Sequence, residues 1–354
     1  MRILAIESSC DETAAAILDE AKLLRDVVVS QIDIFKEYGG VIPEVAARSH
    51  LEAILPVVDK AFVDAGLETV EGESDWGKID AIAVTHTPGL LGSLLIGTLT
   101  ARTLAILHQK PLYAVHHLKS HIYANWIEAE EVPEFPLLAL VVSGGHTQII
   151  EMPSHNEFRI IGTTLDDAVG ECFDKIAKIL GLPYPGGPAI ADAATRGDAE
   201  KYKFPHPKIE GLDFSFSGLK TAVLREVQRE VGVPISFPSH ELKERLNEQQ
   251  VADFAASFQK TAVEILVEKI EKALRDRGEV KSVVVAGGVS ANEALREAVK
   301  VALSGTEVKV YFPEKKYAGD NGAMVAEAAR YEVLSGVKPT DPYKLNISPR
   351  SVIY

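Results

Sequence analysis

An apolar segment that runs into a short polar turn and returns as a second apolar segment occurs twice in this 354-residue chain. MRILAIE leads into SSCDET and then AAAILDE. LLALVV leads into Ser143, Gly144 and Gly145 and then HTQIIEM. Each pair continues into a third strand-like run, KLLRDVVVSQ in the first half and FRIIGTT in the second, and each half then adds helices and a further strand. Such a repeat restricts the chain to a duplicated α/β architecture. Backbone N–H groups in Ser- and Gly-rich turns bind anions, so one phosphate-sized turn in each half suits a cleft-binding nucleotide enzyme. EVPEFP (131–136) reads as the joint, and at about 100–200 residues per domain the length agrees with two domains. The expected division is an N-terminal lobe of residues 1–131 plus 323–354 and a second lobe of residues 136–322.

The helical segments follow from apolar spacing. HLEAILPVVDKAFVDAGL (50–67) is one, ending at Gly66, and a long helix opens at Pro88–Gly89 after the buried strand IDAIAVTHT (79–87). PLYAVH is a strand. Two helices flank the loop YPGGP (184–188), and residues 243–276 carry apolar residues at helical intervals. KSVVVAGG is a strand, NEALREAV a helix, and DNGAMVAEAARYEVL the last helix.

VHHLKSH (115–121) places His117 and His121 four residues apart. On a helix that spacing puts both rings on one face, about 5–6 Å apart at Cβ. His116 points roughly 100° away. The zinc-protease helix reads H-E-x-x-H and needs a glutamate after its first histidine as general base. Leu118 stands there, so the pair suits a metal but not that peptidase.

Net charge is −14. That argues against non-specific nucleic-acid binding by the whole surface, because phosphate contacts need Lys and Arg, though a local basic surface or a basic partner remains compatible with it. The two cysteines, Cys10 and Cys172, form no C-x-x-C pair, which suits a reducing cytosol. The N-terminus lacks the long apolar run of a signal peptide. GLLGSLLIGTLTA (89–101) is too short and too rich in Gly, Ser and Thr for a membrane span. The reading is therefore cytoplasmic, with no membrane partner.

ESSCDET, HHLKSH, SGGHTQI, GECFDKIAKILGLPYPGGP, FSFSGLKTAV, GGVSAN and YAGDNGAM occur in that order. In this the chain closely resembles the bacterial tRNA threonylcarbamoyl transferase family, formerly called O-sialoglycoprotein endopeptidases, from residue 1 to about residue 330. The resemblance implies the two-lobed actin-like ATPase fold shared with sugar kinases and Hsp70-like chaperones. It implies an acyltransferase that moves a threonylcarbamoyl group from threonylcarbamoyl-adenylate to an adenosine amine beside the tRNA anticodon, releasing AMP. The family's metal, iron or zinc, implies one divalent transition metal per chain, held by His117, His121 and Asp320. Asp11 and Glu12 are implied to face the reacting centre, where a carboxylate can take a proton from the amine. The adenylate, expected between the lobes, is implied to meet Val141, Val142, Ser143, Gly144, Gly145, Asp174, Gly187 and Asn292. The implied partners are tRNA, a paralogous protein lacking the metal site, and a small ATPase.

Four positions depart from the family pattern: His86, Thr87 in place of a Gly, Ser120 before the second histidine, and Ala191 in place of an acid. Ser8 and Ser9 are expected to donate to a phosphate, and Asp320 could simply cap the last helix. KYKFPHPK (201–208) interleaves lysines with Tyr202, Phe204 and His206, a mix that suits tRNA phosphates and stacking but equally a solvated loop. The rival functions are a metalloprotease, a sugar kinase or chaperone of the same fold, and a module that only organises a complex.

Overall fold

Ile3, Leu4, Ala5 and Ile6 are all fully buried, so β1 (Arg2–Glu7) is covered on both faces. A strand in that setting reads as a continuous apolar run rather than an alternation. The computed structural model describes residues 1–350, in two compact units. The first comprises Met1–Pro133, Pro153–Phe158 and the described residues from Pro313 onward; the second comprises Glu134–Met152 and Arg159–Phe312.

In the first unit, β1 pairs antiparallel with β2 (Glu12–Asp19), and β2 with β3 (Lys22–Ser30). The chain continues through α1 (Ile32–Tyr38) and α2 (Pro43–Asp64) to β4 (Ala81–Thr87), which lies parallel to β1. After α3 (Leu91–Leu107), β5 (Leu112–His116) adds in parallel beside β4 and runs directly into α4 (His117–Tyr123). The strand order is β3-β2-β1-β4-β5. Leu4, Ile6, Ala15 and Ile17 pack with Ile54, Val58 and Phe62 of α2 and Ala101 and Ala105 of α3.

The second unit repeats this layout. β6 (Leu137–Val142), β7 (Thr147–Met152) and β8 (Arg159–Thr163) form the meander. α5 (Val169–Leu180), α6 (Gly186–Ala194), α7 (Ser217–Glu230) and α8 (Glu248–Arg277) follow. β9 (Ser282–Ala286) then pairs parallel with β6, and α9 (Glu293–Leu303) leads to β10 (Lys309–Tyr311), parallel to β9. The order β10-β9-β6-β7-β8 matches the first sheet strand for strand. Parallel neighbours need a long crossover, which is why helices separate them.

The chain then returns to the first unit, where α10 (Gly322–Leu334) lies against β1, β2 and α4. Gly322 makes this possible, because a Cβ there would sit 2.6 Å from the backbone nitrogen of Ala16.

Several expectations shift. Residues 313–322 group with the first unit rather than the second, since Asp320 and its neighbours pack around α4 and β3. α2 begins at Pro43, about two turns before the expected start, with Pro at its first position where the missing N–H is harmless. The glycines of YPGGP are not loop but the first turn of α6. The helix expected over 243–276 begins at Glu248, because Asn247 and Gln250 form a capping box there. α1 and β10 are too short to carry a periodic signal, whereas α7 does carry one, with Leu219, Val223 and Val227 at i, i+4 and i+8, and is an addition to the expected elements.

Glu327 on α10 is buried beside Arg330. Burial raises its carboxyl to about 7, more than Arg330 lowers it. With an unfolded value of 4.5, the folded state keeps a proton that the unfolded state has lost. The resulting stabilisation is complete below about 4.5 and is lost as pH rises through about 7. Glu327→Gln should therefore raise the unfolding midpoint clearly at pH 8 and hardly at pH 4. Equal effects at the two pH values would contradict this.

Candidate metal centre

The first polar turn is pinned by the start of α3 and by His50 of α2. Ser8 Oγ donates to the Ser93 carbonyl, and the Leu90 N–H donates to the Ser9 carbonyl. The Cys10 carbonyl accepts from Ser93 Oγ and lies 3.0 Å from His50 Nε2, while Thr13 Oγ1 lies 2.8 Å from His50 Nδ1. Gly97 lets α3 come this close, for a Cβ there would meet Ser8 Oγ at 2.2 Å. Ser8 and Ser9 are both buried and their hydroxyls are engaged within the protein. The Ser8 hydroxyl is thereby withdrawn from the phosphate role expected of it, while the Ser9 hydroxyl lies 3.2 Å from His117 Nδ1.

β5 delivers the histidine helix. His116 ends the strand and caps α4, its Nδ1 accepting the Leu118 N–H. His117 and His121 follow on one face, with ring centroids 4.6 Å apart. The third group comes from the other end of the sequence. Asp320 Oδ1 lies 3.6 Å from His117 Nε2 and 3.1 Å from His121 Nε2. One ligand atom from each of the three residues falls within 4.8 Å of the others. The capping role considered for Asp320 belongs instead to Asn321, whose Oδ1 accepts the Met324 N–H. Asp26 of β3 reinforces it by accepting the Gly322 and Ala323 N–H groups. Asp320 is thus left facing the histidines.

The donor set fits a transition metal. Two imidazoles and a carboxylate suit zinc or iron and leave coordination positions open. Both ring nitrogens of the buried His121 lack a hydrogen-bond partner, even though Nε2 is 3.1 Å from Asp320 Oδ1. That proximity without hydrogen-bond geometry is what two electron-pair donors around a shared cation produce. Without a cation, burial disfavours the His117 charge, but Asp320 and Glu7 outweigh it and raise the ring to about 9. Burial likewise pushes the Asp320 carboxyl up, and the two histidines pull it well below the carboxylate range. A metal held by these residues would take the place of that added proton on His117.

Two acids flank this centre. Burial, then the charge of Asp11, raises Glu12 to about 10, and burial raises Asp11 despite its bond to Glu12. Ser30 Oγ donates to Glu12 Oε1.

The family model for tRNA N6-adenosine threonylcarbamoyltransferase matches residues 22–327. The chain belongs to the tRNA N6-adenosine threonylcarbamoyltransferase family. The member from Symbiobacterium thermophilum is 49% identical over 338 residues, 95% of this chain and 93% of that protein. The member from Caldicellulosiruptor saccharolyticus is 45% identical over 350 residues, 99% and 97% of the two chains. Among solved structures, T. kodakarensis HypF aligns with a TM-score of 0.58 at 15% identity, over 95% of this chain and 48% of that one. The fold is that of the actin-like ATPases. Family membership makes the chain a transferase that places a threonylcarbamoyl group on N6 of a tRNA adenosine. It retires the peptidase and sugar-kinase readings.

The residues expected at the family's nucleotide site all lie in the second unit. Val141 and Val142 are buried in β6, so only their backbone is available to a ligand. Gly144 and Gly145 are exposed at the turn, which the Ser143 N–H and Oγ close onto His146. Asp174 accepts the Gly186 N–H at 2.7 Å, and nothing lies within 4 Å of where a Cβ on Gly187 would be. Asn292 caps α9 through Leu295 and donates to Gln259.

The KYKFPHPK segment does not offer bases a stacking surface. Tyr202 and Phe204 are buried, Tyr202 is stacked on Phe254, and Lys201 is bound to Asp253. Their apolar faces are worth more in the core of the unit. The departures have modest consequences. Ser120 is buried and its Oγ donates to the His116 carbonyl. Thr87 donates to the Ser348 carbonyl, and His86 Nδ1 lies 3.0 Å from the Asn346 carbonyl. Sequence reasoning missed Glu7, Thr85 and Asp26 as supports of the centre. The available signal was an acid set in an apolar run, Glu7 at the end of LAIE and Asp26 inside LLRDVVV.

His117→Ala and His121→Ala should each abolish stoichiometric metal by elemental analysis. His116→Ala should retain it and lose about 1 kcal/mol of stability with the helix cap. Metal retained in His121→Ala, or lost only in His116→Ala, would overturn the ligand assignment.

Proposed function

We propose that the donor is threonylcarbamoyl-adenylate, that the acceptor is the adenosine beside the anticodon, and that AMP is released. The observation that carries this reading is the triad of buried His117 and His121 with half-buried Asp320, set beside two acids in a member of this transferase family. One divalent transition metal, iron or zinc, held by these three residues would supply Lewis acidity toward the acyl phosphate.

Asp11 is the proton acceptor. Asp11 and Glu12 are hydrogen-bonded to each other and burial raises both, so the pair shares a proton, with Asp11 taken as its carboxylate member. The N6 amine attacks the carbamoyl carbon and its proton passes to Asp11. The new C–N bond replaces the C–O bond to AMP, which leaves as the phosphate. The donor is already activated, so most of the acceleration comes from positioning.

The adenylate is held in the second unit. Exposed Gly144 and Gly145, with Ser143 and the backbone of Val141 and Val142, receive the phosphate; Asp174, Gly187 and Asn292 receive the nucleoside. Open space at Gly187 supports close backbone approach. The family resemblance supports a metal-free paralogue and a small ATPase as partners. Cys10 and Cys172 are both free, which supports a cytoplasmic setting. No helix among the described residues is long and apolar enough to cross a membrane.

The test is a single-turnover assay with synthetic threonylcarbamoyl-adenylate, unmodified tRNA and the partner proteins. Asp11→Asn should lose at least about 100-fold in rate, and Glu12→Gln should lose far less, because a neutral amide replaces a neutral acid. The reverse order would move the base to Glu12, and absence of AMP release in the wild type would sink the reading. Separately, Asp174→Ala should weaken AMP binding about 10-fold or more by calorimetry. Unchanged affinity would show that the nucleoside lies elsewhere.

A further inference from the structure

Glu7 closes β1 as a fully buried carboxylate, and no transfer step uses it. Its oxygens meet three donors. Oε1 accepts the Ser9 N–H, Oε2 accepts the Thr85 hydroxyl, and Oε2 lies 3.2 Å from His117 Nδ1. Ser9 Oγ also lies 3.2 Å from that Nδ1. The opposite nitrogen of the same ring, Nε2, faces Asp320.

A neutral imidazole has one N–H and one lone pair, so the partner of one nitrogen sets the role of the other. A carboxylate can only accept. Next to Glu7 the ring proton therefore stays on Nδ1, and Nε2 is left with its lone pair toward Asp320 and His121. Glu7 and Thr85 sit on adjacent parallel strands, β1 and β4, so the anchor is mounted on rigid elements rather than on a loop. With no exposure at Glu7, water cannot replace the carboxylate.

We infer that Glu7 is a positioning residue that fixes the tautomer and orientation of His117 for metal binding, and that Thr85 and the Ser9 N–H hold Glu7 in place. This inference rests on the metal reading above. Outer partners of a ligating histidine typically change metal affinity about 10–100-fold.

The experiment measures zinc affinity by competition with a chromophoric chelator in the full chain. Wild type, Glu7→Gln, Thr85→Val and Thr85→Ser are compared. Glu7→Gln keeps the volume but removes the charge and cannot accept all three donors. It should bind zinc about 10–100-fold more weakly. Thr85→Val should show a smaller loss, and Thr85→Ser should restore wild-type affinity. In the zinc-loaded wild type, a nitrogen-resolved proton spectrum should show a slowly exchanging His117 Nδ1 proton, and in Glu7→Gln that proton should shift and exchange faster. A merely structural role would lower the unfolding midpoint of the metal-free protein and move neither the zinc affinity nor the His117 signal. Equal zinc affinity in wild type and Glu7→Gln overturns this inference and leaves the metal reading standing. Absence of zinc binding by the wild type overturns both. If Glu7→Gln does not fold, the Thr85 pair decides, and equal affinity in Thr85→Val and wild type overturns the inference.

Discussion

Glu7, His117 and Asp320 form a line of ionisable groups in the interior of the first unit, with one imidazole between two carboxylates. Leaving such groups unpaired in a dry interior costs several kcal/mol each, so the surrounding elements have to hold them in register. β1 supplies Glu7, β4 supplies Thr85, α4 supplies both histidines, and the segment before α10 supplies Asp320. The two carboxylates outweigh burial at His117 and favour a positive charge there. A divalent cation would meet the same demand with more charge and would spare His117 the proton.

The two turns of the duplicated fold have diverged in what they can bind. The first is surrounded by Glu7, Asp11, Glu12 and Asp320, and its serines are consumed by internal bonds. Such a turn repels a bare phosphate and attracts a cation. The second ends in two exposed glycines with no carboxylate in the turn itself, so its backbone N–H groups can receive an anion. The same strand–turn–strand unit can thus suit opposite charges, decided by a few side chains.

The histidine pair also accounts for the peptidase reading that this sequence invites. Two histidines four apart on a helix specify only that a metal can be held. The chemistry depends on the third ligand and the nearest base. Here the position of a protease's glutamate is Leu118, buried in the core, and the acids come from a distant turn.

Much of the fold was legible because it rests on local patterns. Continuous apolar runs identified the buried strands, and their repetition identified the duplication, which the two strand orders match. The i, i+4 spacing of His117 and His121 was visible because one helix carries both. Of the elements that were missed, α1 is short on apolar periodicity and β10 has three residues, but α7 was legible, since Leu219, Val223 and Val227 recur at helical spacing. The role of Asp320 came only through family resemblance, and that of Glu7 was not foreseen. Asp320 and His117 stand about 200 residues apart in the chain, and no local pattern encodes their approach. It follows from Gly322 admitting α10 against β2 and from Asp26 capping that helix. The pairing of Glu7 with Thr85 and His117 depends in the same way on the parallel register of β1, β4 and β5. The sequence by itself determined which side chains could ligate a metal; only the tertiary structure decided which carboxylates reach them.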